Sequence, residues 1–326
     1  MTKHSPLLFA LAAIFCLLGQ QVAAAKSSAA SPSGHQLTQA VELLDGYRGD
    51  SSSLERAKAI LDGILQKDPG NAPAHREIAR YHIMRGHLGY LSFMPGSLEA
   101  AEASLKKAIE VDPSYAEAYV LAGHLYRLMK RPIEAKAALS KADALGSRDP
   151  WLQNNWADIL IDEGRLEEAA QRYKNVVESG TENRRAMVAA FEGLTRYYKR
   201  TGSLDEADSI YRKKIAYDPE SAWNYGNYAN FLLCVRDDFE GALEQANHAL
   251  QIMNYGAGRR ALAAALYRKW ADQIMNGDTA GAQMSIADAS AIEPGSPLEI
   301  VASVCGSGRP LNAVSDAEKR VARSRS

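Results

Sequence analysis

Small and apolar residues recur along this chain at the spacing of one helix face, stop, and then recur. In residues 116–128, Tyr119, Ala122, Gly123 and Tyr126 stand at i, i+3, i+4 and i+7, which places them on one side of an α-helix. Ala135, Ala138, Leu139 and Ala142 repeat the stripe. Gly146 and Ser147 interrupt it, and Asp149-Pro150 opens the next stretch, since proline is tolerated in a first helical turn. The pattern predicts a helical hairpin whose arms approach closely at Gly123 and Ala135, where no bulky side chain separates them.

That unit is one of seven. A small residue, at Ala57, Ala101, Ala135, Ala169, Ala207, Ala242 and Ala282, precedes a turn residue at Pro69, Pro113, Ser147, Thr181, Pro219, Asn254 and Pro294. The alanine-to-alanine steps are 44, 34, 34, 38, 35 and 40 residues. A period near 34 with insertions predicts stacked helical hairpins. Each hairpin buries its apolar face only against its neighbours, so terminal units are expected to be atypical. The first unit, near 36–70, carries Asp45-Gly46 at its small position, and the last, near 257–294, carries Trp270 there. The second unit holds about 10 extra residues (44 − 34 = 10), between Gly86 and Leu98. Tyr90, Leu91, Phe93 and Met94 make that insertion too apolar for a plain loop. It is expected to extend its hairpin and pack on a neighbour, the alternative being a binding or dimerisation lip.

The repeat resembles the tetratricopeptide repeat over about residues 36–295. Tyr119, Gly123, Tyr126, Ala135, Leu139, Ala142 and Ser147 fall at that family's pattern positions, as do Phe191, Tyr198, Ala207, Tyr211 and Pro219 in a later unit. The resemblance implies an all-α, right-handed α-solenoid of about seven hairpins, with a concave groove lined by the first helices. It also implies which residues face the groove: His124 and Arg127, Trp151, Asn154, Asp158 and Asp162, Glu192, Arg196, Lys199 and Arg200, and Trp223 and Asn230. On that reading an acidic patch stands beside a basic one, flanked by two tryptophans, a surface suited to an extended peptide. A solvated face with no dedicated ligand is the plainer alternative. The paired lysines of the chaperone-binding members are not at the matching positions.

Composition removes several classes. Lys+Arg 38 against Asp+Glu 39 gives a net charge of −1, so no global basic field recruits nucleic acid or anionic lipid. No nucleophile elbow, zinc-protease motif or phosphate loop is present, and no enzyme activity or cofactor is expected. His75, His82 and His87 lie close in sequence, but no carboxylate or cysteine pattern completes a metal site.

The N-terminus reads as an export signal. Leu7 to Leu18 is an apolar run of 12 residues, short for a membrane span. Ala23-Ala24-Ala25 then offers small residues for cleavage before Lys26. The division expected is a signal peptide at 1–25, a flexible leader at 26–35, the repeat array at 36–295, and a capping segment with a loose basic tail at 296–326. After processing, no transmembrane span is expected. Only Cys234 and Cys305 would remain. Two cysteines make no disulfide framework, and the sequence leaves their pairing and the oligomeric state open.

The leading expectation is a non-enzymatic, periplasmic or secreted scaffold binding a protein or peptide partner of the cell envelope. The alternative, drawn from the family resemblance, is a polysaccharide-handling protein that stacks sugars on Trp151 and Trp223.

Overall fold

A computed structural model describes residues 32–47, 51–89 and 92–324. The expected signal peptide and residues 26–31 lie outside the described residues. The described residues form an all-α solenoid of helical hairpins, interrupted among them by one short β-ribbon.

The first four hairpins pair α1 (Pro32–Asp45) with α2 (Ser51–Lys67), α3 (Ala72–Gly86) with α4 (Ser97–Val111), α5 (Ala116–Leu128) with α6 (Pro132–Ala144), and α7 (Pro150–Asp162) with α8 (Leu166–Glu178). The next three pair α9 (Arg184–Thr201) with α10 (Leu204–Tyr217), α11 (Ala222–Phe231) with α12 (Phe239–Ile252), and α13 (Gly256–Asn276) with α14 (Thr279–Ile292). An eighth pair, α15 (Pro297–Cys305) and α16 (Arg309–Ser324), follows. The chain divides into two compact units at Met187/Val188, inside α9.

Local chemistry sets the boundaries. Asn71 and Asp149 accept from the amides of Ala74 and Trp151, at 3.0 and 2.9 Å, and so satisfy donors that the first turns of α3 and α7 leave open. Ser296 and Glu299 form a reciprocal capping box on α15. Gly146 after α6 and Gly164 between α7 and α8 stand at φ 73° and 78°, a left-handed conformation that glycine enters without steric cost. Lys130 holds the comparable position between α5 and α6 at φ 58°. A Cβ is strained there, so Lys130→Gly is expected to raise stability by about 1 kcal/mol, read as an upward shift of the denaturation midpoint.

In the N-terminal unit, each first helix packs on its partner and on the next first helix: α1 on α3, α3 on α5, and α5 on α7. The interior is a chain of small cores. One joins Ala79, Leu105, Ala118 and Leu125, and the next joins Val120, Leu139, Leu152 and Ile159. This is the nearest-neighbour packing of a repeat protein. The insertion forms an antiparallel ribbon of β1 (His87–Gly89) and β2 (Ser92–Phe93). Phe93 packs on the core of α3, α4 and α5, as expected for the insertion, while Leu88 is 65 % and Met94 41 % exposed.

In the C-terminal unit, the core gathers Tyr211, Phe231, Tyr267 and Trp270 with Val301, Val314 and Ala317 of the last pair. Trp270, at an expected small position, is 5 % exposed and is core. Residues 309–324, expected as a loose tail, are helical. Pro310, Val314 and Ala317 are buried, and α16 packs on α13. Its cations lie outward. Lys319 pairs with Asp316 at 3.0 Å, and Arg320 donates to the Met275 carbonyl at 3.0 Å. Residues 32–35, expected within the leader, are the first turn of α1. A π-helical turn, Leu232–Arg236, follows α11. Cys234 in that turn is disulfide-bonded to Cys305 at the end of α15.

Candidate functional site

The N-terminal unit contains a cavity of about 600 Å³, within the range of natural binding sites. Successive first helices build it. α5 contributes Glu117, Val120, Leu121 and His124, which helical periodicity puts on one face. α3 adds Ile83 and Met84, α1 adds Val41, and α7 adds Trp151. The floor is therefore apolar. The rim is charged, with Arg76, Arg80 and Arg148 among Asp45, Glu117 and Asp149.

Most of these charges are committed to the framework. Glu77 is 2 % exposed, so it needs compensation. It receives it from Arg76 and from Arg80, the latter at 2.7 Å. Arg80 also reaches Asp45 at 2.5 Å, and Arg76 stands 3.6 Å from Asp149. Arg185 donates from Nε to the Asp45 carbonyl at 3.0 Å and from Nη2 to the Tyr47 carbonyl at 2.8 Å. It thus ties the start of α9 to the end of α1 within this unit. Arg148 at the rim is exposed.

His124 is half-buried in the wall. Burial lowers its pKa; nearby Asp158 works against that shift, and Arg127 adds to it. A histidine whose folded pKa lies below its unfolded 6.5 contributes stability that is present above 6.5 and lost as pH falls through the folded value. His124→Gln should therefore lessen the fall in melting temperature between about pH 7.5 and about pH 5.5, as followed by circular dichroism.

The other expected groove residues of this unit separate into distinct roles. Arg127 clamps α5 to α7, donating to Asp162 at 2.6 and 3.1 Å and to Asp158 at 3.3 Å. Asp158 also accepts from Tyr173 at 2.7 Å. Both carboxylates of the expected acidic patch are therefore engaged within the protein. Asn154, expected on the groove, is 3 % exposed and donates to the Ala186 carbonyl at 2.9 Å. Its neighbour Asn155, which lines the cavity, donates to the Val120 carbonyl at 3.0 Å. Both asparagines donate to helix backbone, while the Oδ1 of Asn154 is buried without a hydrogen-bond partner. A second hollow of about 530 Å³ lies beyond the clamp, lined by Arg127, Ile133, Ile159 and Asp162. Ile133 is 80 % exposed.

The C-terminal unit holds the remaining expected residues. Glu192 accepts from the buried Lys214 at 3.2 Å. Arg196, Lys199 and Arg200 are exposed on α9. Trp223 is 53 % exposed with its ring 4.6 Å from that of Tyr255, and Asn230 is half-buried. Reading the sequence missed Arg76 and Arg80 of α3 and Arg185 of α9, which meet at the cavity from two hairpins far apart in the chain.

Among the described residues, no group of three or more His, Cys, Asp or Glu is placed to hold a metal ion. No helix among them is long and apolar enough to cross a membrane.

Comparison with known proteins follows this geometry. The family described as Tetratricopeptide repeat matches residues 84–115 and 116–145. The type IV pilus assembly protein PilF of Pseudomonas aeruginosa is 34 % identical over 106 residues, which cover 32 % of this chain and 41 % of that relative. The match thus spans less than half of PilF. The crystal structure of PilW, a type IV pilus biogenesis factor, shares the fold with a TM-score of 0.52 at 19 % identity, over 69 % of this chain and 96 % of that one. A tetratricopeptide-repeat protein of Thermus thermophilus does so with a TM-score of 0.50 at 19 % identity, over 62 % and 99 %. Residues 84–145 thus carry two tetratricopeptide repeats, set within a solenoid of like hairpins whose fold solved tetratricopeptide-repeat proteins share.

Proposed function

We propose that the protein is a non-enzymatic scaffold of the cell envelope whose N-terminal cavity holds a segment of a protein partner. The observation that carries this reading is the cavity itself, with an apolar floor from four successive first helices and Trp151 in its wall. A half-buried tryptophan beside aliphatic side chains supplies desolvated area to an incoming apolar residue. Most of the rim charges, Arg76, Arg80, Asp45 and Asp149, are already paired within the protein and do not depend on a ligand for neutralisation. The export-like N-terminal pattern supports an envelope setting. The likeness to PilF supports a partner drawn from a surface-filament assembly.

The test is recovery of the tagged protein after crosslinking in intact cells, with proteins and glycans both identified. The wild-type protein is expected to yield a defined set of protein partners. Trp151→Ala should reduce their recovery about tenfold or more. Undiminished recovery by Trp151→Ala, or recovery of polymer without protein, would reject the cavity reading.

A further inference from the structure

We infer that the exposed face of α9 that carries Arg196, Lys199 and Arg200, within the C-terminal unit, is a docking surface for an acidic, extended polypeptide segment. This surface is additional to the cavity of the N-terminal unit. Arg196, Lys199 and Arg200 stand at i, i+3 and i+4 and are exposed, so they form one cluster about a helical turn long. No described acidic side chain pairs with any of them. Five other arginines of the same unit are paired with acids. Arg212 meets Asp208, Arg236 meets Asp205, Arg259 and Arg260 meet Glu293, and Arg268 meets Asp237. Glu192, the acid one turn before Arg196, is engaged by Lys214. The helix dipole favours Lys199 and Arg200 in the last turn. It does not account for Arg196, which lies beyond its reach.

Three like charges within one turn repel one another and gain from an external anion. Their spacing says which anion fits. Arg196 and Arg200 are separated by about 6 Å along the helix axis. Same-face side chains of an extended strand are separated by about 6.7 Å. A strand with an acidic residue at every second position therefore matches the cluster.

The probe is a fluorescein-labelled peptide of five Glu-Ser repeats, titrated with the purified protein at low salt, alongside an oligogalacturonate of equal charge. The wild-type protein should bind the peptide. The combined variant Arg196→Glu, Lys199→Glu and Arg200→Glu should bind it about tenfold more weakly or worse, and should gain binding to a peptide of five Lys-Ser repeats. That gain shows the variant is folded. Lys213→Glu, Arg309→Glu and Lys319→Glu together change net charge equally and should alter affinity less than about twofold. Equal weakening by both triple variants, absence of wild-type binding, or dependence of the oligogalacturonate but not the peptide on the α9 cations would overturn the proposal.

Discussion

Replacing Cys234 and Cys305 by serine is expected to destabilise the C-terminal unit by about 4 kcal/mol. The bond closes a sequence separation of 71 residues. A loop of that length loses much conformational freedom in the unfolded chain, and chain-entropy arithmetic gives the quoted size. The two ends also matter to the fold. Cys234 lies in the π-helical turn, whose Leu232 and Leu233 are buried. Cys305 is the last residue of α15, whose Ile300 and Val301 are buried. The bond therefore pins the closing helix pair onto the sixth hairpin. Without it, α15 and α16 are held by apolar burial, chiefly Val301, Val314 and Ala317, and by the hydrogen bond from Arg320 to the Met275 carbonyl. Thermal unfolding followed by circular dichroism should show the serine variant melting about 10 °C below the oxidised wild type. Wild type with reductant should melt with the variant. Superimposable curves for all three samples would show that the bond does not constrain this unit.

The second large effect lies in the third hairpin. Gly123 and Leu139 occupy the crossing of α5 and α6. A methyl group on Gly123 would overlap Leu139 Cδ2 and lie 2.6 Å from its Cγ. Leu139 is 0 % exposed and cannot swing into solvent. Leu139→Ala is expected to cost about 3 kcal/mol through lost burial and a cavity. Gly123→Ala is expected to cost about 1–3 kcal/mol through overpacking. The two faults occupy the same space, so the double variant should be more stable than the sum of the singles predicts, by about 1 kcal/mol or more. Urea denaturation of the four proteins measures this directly. Strict additivity would mean that the crossing does not depend on this pair. Because α5 supplies the cavity wall from Glu117 to His124, either single variant should also weaken partner recovery.

The repeat could be read from the sequence because helix crossings demand small residues at a fixed period. All seven repeat alanines are at most 2 % exposed: Ala57, Ala101, Ala135, Ala169, Ala207, Ala242 and Ala282. The eighth helix pair was legible too. Pro310, Val314 and Ala317 stand at i, i+4 and i+7, but the arginines and lysine around them drew the reading toward a tail. The ribbon at 87–93 was less accessible, since an apolar run this short does not separate strand from helix.

The candidate site was half legible. The family resemblance put His124 and Trp151 toward a groove, and both line the cavity. What failed was the assumption that a polar residue at a groove position is free. Asn154 satisfies the Ala186 carbonyl, and Asp158 and Asp162 satisfy Arg127. The contact of Arg185 with the carbonyls of Asp45 and Tyr47 spans about 140 positions of chain. No local pattern encodes a pairing at that distance.

The most direct test of the cavity reading is site-specific photocrosslinking in intact cells. A photoreactive amino acid at Leu121, in the cavity wall, is compared with one at Lys141, exposed on α6. The account predicts discrete protein adducts from position 121 that are absent from position 141. No adduct from position 121, or the same adducts from both positions, would contradict it.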